Sequence, residues 1–216
     1  MNINRFIDKY FNHEASISIE VFDDSNIYCV YKDIVEALNF YPEIELTVLQ
    51  AMSYCFYEIL DNVLTHSGKK MGTVLISYNH EVSMVKILVA DDGMGIKNSL
   101  SQNQEYANIM EHDAIRICIN DCVSDGKGMG YGLFSTMQLI KNAGIILRIH
   151  SGSHELQYDG KNVIIKQADY WQGTIVYFEI HSNKVINPNE VLGGRADAEG
   201  NYNEIFDEND SLKDLW

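Results

Sequence analysis

Residues 56–68 read FYEILDNVLTHSG, and the placement of three polar side chains in this stretch sets how the rest of the chain is assembled. Glu58, Asn62 and His66 stand four residues apart, so on a helix each is rotated by about 40° from the last and the three form one polar stripe. Beside it Val48, Met52, Phe56, Ile59 and Val63 recur at spacings of three and four, the stripe of a helix face turned to a core. The spacing predicts one long helix with Pro42 in its first turn and Ser67-Gly68 at its end. A carboxylate on such a stripe can orient or deprotonate a water or hydroxyl. An amide oxygen is a hard ligand suited to magnesium that also holds phosphate oxygens. Taken alone, the stripe reads equally as a solvated helix face, and Asp61 as a water-facing neighbour or a further ligand for the same metal.

Downstream, Thr73 to Tyr78 and Val82 to Ala90 carry strand patterning around a turn at Asn79-His80-Glu81, and the second runs into Asp91-Asp92-Gly93-Met94-Gly95. A carboxylate ending a buried strand can accept a hydrogen bond from an adenine amino group, while the glycines let backbone approach the base. D-x-G-x-G by itself is an ordinary turn. Residues 97–127 are polar, with one helix expected from Tyr106 to Asp121, and read as a lid outside the core. Then comes Gly126-Lys127-Gly128-Met129-Gly130-Tyr131-Gly132, opening an amphipathic helix with Leu133, Phe134, Met137 and Ile140 inward and Gly144 at its C-cap. Unpaired N–H groups and the positive end of a helix dipole favour phosphate there. A hinge with no ligand is the alternative.

In this order and at these separations the three elements resemble the GHKL ATPase superfamily, over about residues 16–181. That superfamily takes in histidine kinases, type II topoisomerases, ninety-kilodalton heat-shock chaperones, mismatch-repair ATPases and anti-sigma serine kinases. FYEILDNVLTHSG resembles its N box, which implies Glu58 as catalytic base and Asn62 as magnesium ligand, with Glu58 a second candidate for the metal. VADDGMGI resembles the first glycine box, with Asp91 as adenine partner and Gly93 and Gly95 near the base. GKGMGYGL resembles the second, placing Gly126, Lys127, Gly128, Met129, Gly130, Tyr131, Gly132 and Leu133 on the phosphate side. Gly173-Thr174 resembles the family's Gly-Thr pair, with Thr174 near the adenine. The implied cofactors are ATP and Mg2+. The implied fold is α+β: a two-layer α/β sandwich with a mixed, mostly antiparallel sheet, helices on one face and an ATP lid.

Glu58-x-x-x-Asn62-x-x-x-His66 is most similar to the anti-sigma factor serine kinases. The roughly forty residues before Pro42 are too few for a phosphoacceptor helix pair, and the stretch after the final strand is too short for a transducer domain. The expectation is a regulatory ATPase or serine-kinase-like protein acting on a protein partner. A non-hydrolysing, nucleotide-dependent switch that controls partner assembly is the alternative. The family often dimerises through its N-terminal elements, so a homodimer is a further expectation.

At the N-terminus Phe6, Ile7, Tyr10 and Phe11 predict a short helix within residues 1–15, and Ser16 to Phe22 an edge strand. After the second glycine run, strands are expected at Ile145 to His150 and Thr174 to Ile180, with a weaker hairpin turning at Asp159-Gly160. The nucleotide domain is expected over 16–182, followed by an irregular tail, 183–216, with eight acidic and three basic side chains and an apolar end at Leu212, Leu215 and Trp216.

With 216 residues, 46% of them hydrophobic, the chain suits one sizeable core. A net charge of −15 disfavours direct binding to nucleic acid, whose phosphates call for a cationic surface. No run approaches the roughly 18 apolar residues of a membrane helix, and no basic-then-apolar leader opens the chain, so no membrane association and a cytoplasmic location are expected. Cysteines at 29, 55, 118 and 122 form no disulfide framework or zinc pattern and read as free thiols.

Overall fold

The computed structural model describes residues 3–11, 14 and 16–192. Of the irregular tail expected over 183–216, residues 193–216, with the apolar end at Leu212, Leu215 and Trp216, lie outside the described residues, whereas 188–192 are helical and Val191 is buried in the main core. The elements are α1 (Ile3–Tyr10), β1 (Ser18–Asp23), α2 (Ile27–Asn39), α3 (Leu46–His66), β2 (Met71–Asn79), β3 (Met84–Ala90), α4 (Gly95–Leu100), α5 (Glu111–Ile117), α6 (Gly132–Ala143), β4 (Gly144–Tyr158), β5 (Val163–His181) and α7 (Pro188–Leu192). The five strands form one sheet in the order β1-β2-β3-β5-β4. The sheet, expected to be mostly antiparallel, is antiparallel at every pairing.

Alternation along the strands sorts the side chains into two layers. Val74, Ile76, Ile87, Val89, Val176 and Phe178 pack with α2, α3 and α6 in the main core. On the other face Leu75, Leu88, Ile175 and Tyr177 meet Phe6 and Tyr10 of α1 and Phe11 just after it, so the short N-terminal helix covers the second face while the larger helices share the first. Ion pairs tie α1 down at its polar side: Lys9 Nζ lies 3.0 Å from Glu155 Oε2, and Lys166 holds the other oxygen at 3.3 Å. Burial pushes the Glu155 carboxyl up, but Gln157, Lys9 and Lys166 outweigh it and hold it down at about 2. A depressed carboxylate stabilises the fold above its unfolded value of 4.5 and loses that contribution as the pH falls toward about 2. Glu155→Gln should therefore cost about 2 kcal/mol in urea unfolding at pH 7, with the gap closing below pH 4.5.

Four segments differ from the sequence reading. No element was expected between Phe22 and Pro42, yet α2 fills it, burying Val30, Tyr31, Ile34, Val35 and Leu38. Helix α3 starts at Leu46, not in the turn after Pro42, because Glu45 is extended and its N–H donates to Ser182 O at 2.7 Å, a bond to a remote strand end. The expected single lid helix from Tyr106 to Asp121 is instead α4, a 3-10 turn at Gln104–Tyr106 and the short α5. Ile115, Cys118 and Ile119 are buried in the main core, so this segment is partly packed down and not wholly an excursion. The separate strand candidates after Gly144 merge into the long pair β4 and β5, with a bulge near Gly152 and a turn in which Asp159 Oδ1 accepts from Lys161 N and Asn162 N. Among the described residues no helix is long and apolar enough to cross a membrane.

Candidate functional site

The polar stripe of α3, the end of β3 and the start of α6 meet in one cleft. Helix α3 turns its apolar stripe to the sheet, which leaves Glu58, Asn62 and His66 along its flank toward α6. Packing between α3 and α6 is close because α6 begins with glycine: a Cβ on Gly132 would stand 2.9 Å from Glu58 Cβ, 3.1 Å from Asn62 Nδ2 and 3.2 Å from Glu58 Oε2. Only a residue without a side chain lets the first turn of α6, which no side chain caps, lie against that carboxylate and amide.

Asp91 closes the cleft from the sheet side, with 5% of its surface exposed. Its Oδ1 accepts from Gly93 N at 2.7 Å and its Oδ2 from Thr174 N at 3.2 Å. A carboxylate has about four acceptor positions, so two remain for a ligand. The turn after it is clamped to α3 by Met94 N donating to Ser67 O at 2.8 Å, and to β5 by the close approach of Gly173 to the Asp91 carbonyl. Gly95 takes φ +76, a left-handed conformation suited to glycine, and a Cβ there would strike Ser151 Oγ and Gln172 O.

Two carboxyls in this region are pushed up. Burial raises Asp91 to about 6, against the pull of its two N–H donors. Burial, and then the like charge of Asp61, raises Glu58 to about 7. Glu58 makes no hydrogen bond or ion pair among the described residues, which leaves it free to exchange a proton near neutral pH.

Of the residues singled out in the sequence, Asn62, Asp91, Gly95, Gly130, Gly132, Leu133 and Thr174 line the cleft wall. Glu58 abuts Gly132 at its edge, and Gly93 stands behind Asp91. Gly126, Lys127, Gly128 and Met129 are on an exposed arm outside the wall, and Tyr131 is the residue just before α6. Lys127 Nζ turns back to 3.8 Å from Asp125 Oδ2. The exposed arm is anchored by a residue the sequence reading passed over. Asp125, its side chain fully buried, meets His66 Nδ1 at 2.9 Å and accepts from Ser99 Oγ at 2.9 Å and from Lys127 N at 3.0 Å. Burial raises the Asp125 carboxyl, but the His66, Lys127 and Ser99 contacts together hold it below its ordinary value. His66 thus ends the polar stripe as the tie between α3 and the root of the glycine arm. Its partner was illegible because nothing in local spacing joins positions so far apart.

The sequence profile of the histidine kinase-, DNA gyrase B- and HSP90-like ATPases matches residues 48–183, more than half of the chain. The chain belongs to this GHKL family. No curated protein matches it. The family match covers α3, β2, β3, the lid region, α6, β4 and β5, and so contains the whole cleft described above. ATP binding is the activity that membership carries. The residues present fit a nucleotide: a buried carboxylate with spare acceptor positions for a base, glycine positions that a Cβ would fill, and an uncapped helix start for an anion.

Proposed function

We propose that this GHKL protein is a regulatory Mg-ATP-dependent ATPase or serine-kinase-like enzyme, similar to the anti-sigma serine kinases, that acts on a protein partner. The observation that carries the reading is the half-buried Glu58 carboxyl, pushed to about 7, set against the first residue of α6 and one turn from Asn62. Magnesium keeps few protein ligands and shares phosphate oxygens, and Asn62 is its ligand in this reading. When bound, magnesium neutralises phosphate charge and orients the terminal group.

In this reading Asp91 accepts from the adenine amino group, with Thr174 and Gly95 beside the base. The N–H groups at the start of α6 face phosphate, and Lys127 swings from Asp125 toward it. Glu58 orients the attacking water or hydroxyl and takes its proton. The exposed glycine arm is rooted at Asp125 through its contacts with His66 and Ser99, and Lys127 folds back on the same carboxylate, so a nucleotide that draws Lys127 away would act on that root. This coupling favours a second reading, in which nucleotide rearranges the arm and alters partner affinity without turnover.

Calorimetric titration of ATP with magnesium, run beside phosphate release on the same sample with and without candidate protein substrates, tests both. Binding with turnover or phosphoprotein supports the enzyme, and binding alone supports the switch. No heat at millimolar ATP would remove both readings. Gly132→Ala should raise the Kd for ATP by about tenfold or more, since its methyl group occupies the space between Glu58, Asn62 and α6. An unchanged Kd for that variant would mean that the start of α6 does not face the ligand.

A further inference from the structure

Asp91 closes the cleft with its carboxylate, but its main chain is held from the second face of the sheet. The ladder between β3 and β5 runs to Ala90 opposite Ile175, and one further bond, from Asp91 N to Thr174 O at 2.9 Å, follows it. The Asp91 carbonyl accepts from a side chain: Trp171 Nε1 donates to it at 2.9 Å. Next along, Gln172 Nε2 donates to Asp92 O at 3.3 Å. The turn that carries the adenine carboxylate thus hangs on two consecutive side chains of β5.

An irregularity in β5 permits this reach. Gly152 of β4 stands opposite Trp171 and its neighbour Ser151 opposite Thr174, so three steps of β5 answer one step of β4. Extra residues of this kind bend a strand and re-aim its side chains. Here the indole joins the apolar cluster of the second face, where it packs edge to face on Phe6 of α1 with ring centroids 5.3 Å apart. The same segment is pinned two residues earlier, where Arg5 Nη2 donates to the Asp169 carboxylate at 2.7 Å and His150 Nε2 to the Asp169 carbonyl at 2.8 Å. Trp171 is not part of the cleft wall, so it acts on a ligand only through Asp91.

We propose that Trp171 is a positioning residue for the base of the nucleotide, and that α1 holds Trp171 in place. The inference rests on the reading that Asp91 accepts from the adenine amino group. A carboxylate points where its backbone lets it. Gly93 N, which holds one of its oxygens, lies beyond the peptide that joins Asp91 to Asp92, and Trp171 fixes that peptide by its carbonyl oxygen. Without the indole N–H the peptide can turn, the carboxylate spreads over several orientations, and the ligand has to restore one of them. The second face of the sheet, covered by α1, thereby sets how well the cleft reads the base.

The test uses the full chain and compares, by calorimetry with magnesium, the Kd of ATP with that of purine riboside triphosphate, which lacks the exocyclic amino group. Wild type should prefer ATP by about tenfold or more, as expected of a hydrogen bond to a charged acceptor. Trp171→Phe keeps a ring against Phe6 but has no N–H. It should narrow the preference to about threefold or less, with purine riboside triphosphate bound as in wild type. An indole that only fills the core would lower the unfolding temperature when replaced and leave the preference intact, and that result would overturn the proposal. A second measurement needs no variant: coupling is reciprocal, so saturating ATP should slow amide exchange by local opening of α1, at Ile7 to Tyr10, by about threefold. Exchange in α1 that ignores ATP would overturn the proposal as well. Equal binding of the two nucleotides by wild type would remove the adenine role of Asp91 and this inference with it, whereas a preference kept by Trp171→Phe removes this inference alone.

Discussion

Glu58→Gln is expected to lower ATP turnover by about 10²- to 10⁴-fold, the usual contribution of a positioned acid or base, while the Kd for ATP with magnesium moves by less than about threefold. The amide keeps the shape that packs against Gly132 but cannot take a proton. In the wild type kcat/KM should rise with pH through about 7 as the carboxylate forms, and this limb should vanish in the variant. The same shift has a stability consequence of opposite sense to that at Glu155. A carboxyl raised from 4.5 to about 7 by burial favours the folded state below its unfolded value, and that contribution is lost as the pH rises through about 7. Urea unfolding at pH 8 should thus find Glu58→Gln more stable than wild type by about 2 kcal/mol, with little difference at pH 4. Undiminished phosphate release from the variant would end the assignment of Glu58 as the base, whatever the stability result.

Asp91→Asn should weaken ATP by about 30-fold or more in calorimetry, because a carboxylate that already serves two backbone donors is replaced by a group with one acceptor oxygen. If that oxygen stays with Gly93 N, the new amino group faces Thr174 N or the cleft, a donor against a donor. Removal of a buried charge raised to about 6 offsets part of this cost at pH 7, so the variant should remain folded, as its thermal unfolding will report. Tight ATP binding by a folded Asp91→Asn would place the base elsewhere.

The glycine arm shows why the site was only partly legible in the sequence. Gly130, Gly132 and Leu133 reach the cleft, whereas Gly126, Lys127, Gly128 and Met129 stay outside it. A run of glycines declares that backbone must approach something, yet it does not say which of its members does so. Where the arm departs from the core is set by Asp125 on His66 and Ser99, contacts between segments far apart in the chain. Helix α2 was legible in principle, since Val30, Ile34 and Leu38 recur at helical spacing, but it carries no side-chain cap and no motif to draw the eye.

By itself the sequence determined what local periodicity and fixed spacing can encode. The stripe of Glu58, Asn62 and His66 on one helix flank, the strand ending in Asp91, the glycine opening of α6 and the α+β alternation all follow from side-chain positions a few residues apart. Only the tertiary structure decided what depends on distant partners. It set the start of α3 through Ser182, the division of the lid into short pieces packed on the core, and the Asp125 anchor of the glycine arm. It also shaped the raised carboxyls of Glu58 and Asp91. Burial is a property of packed surfaces, so no single segment carries it.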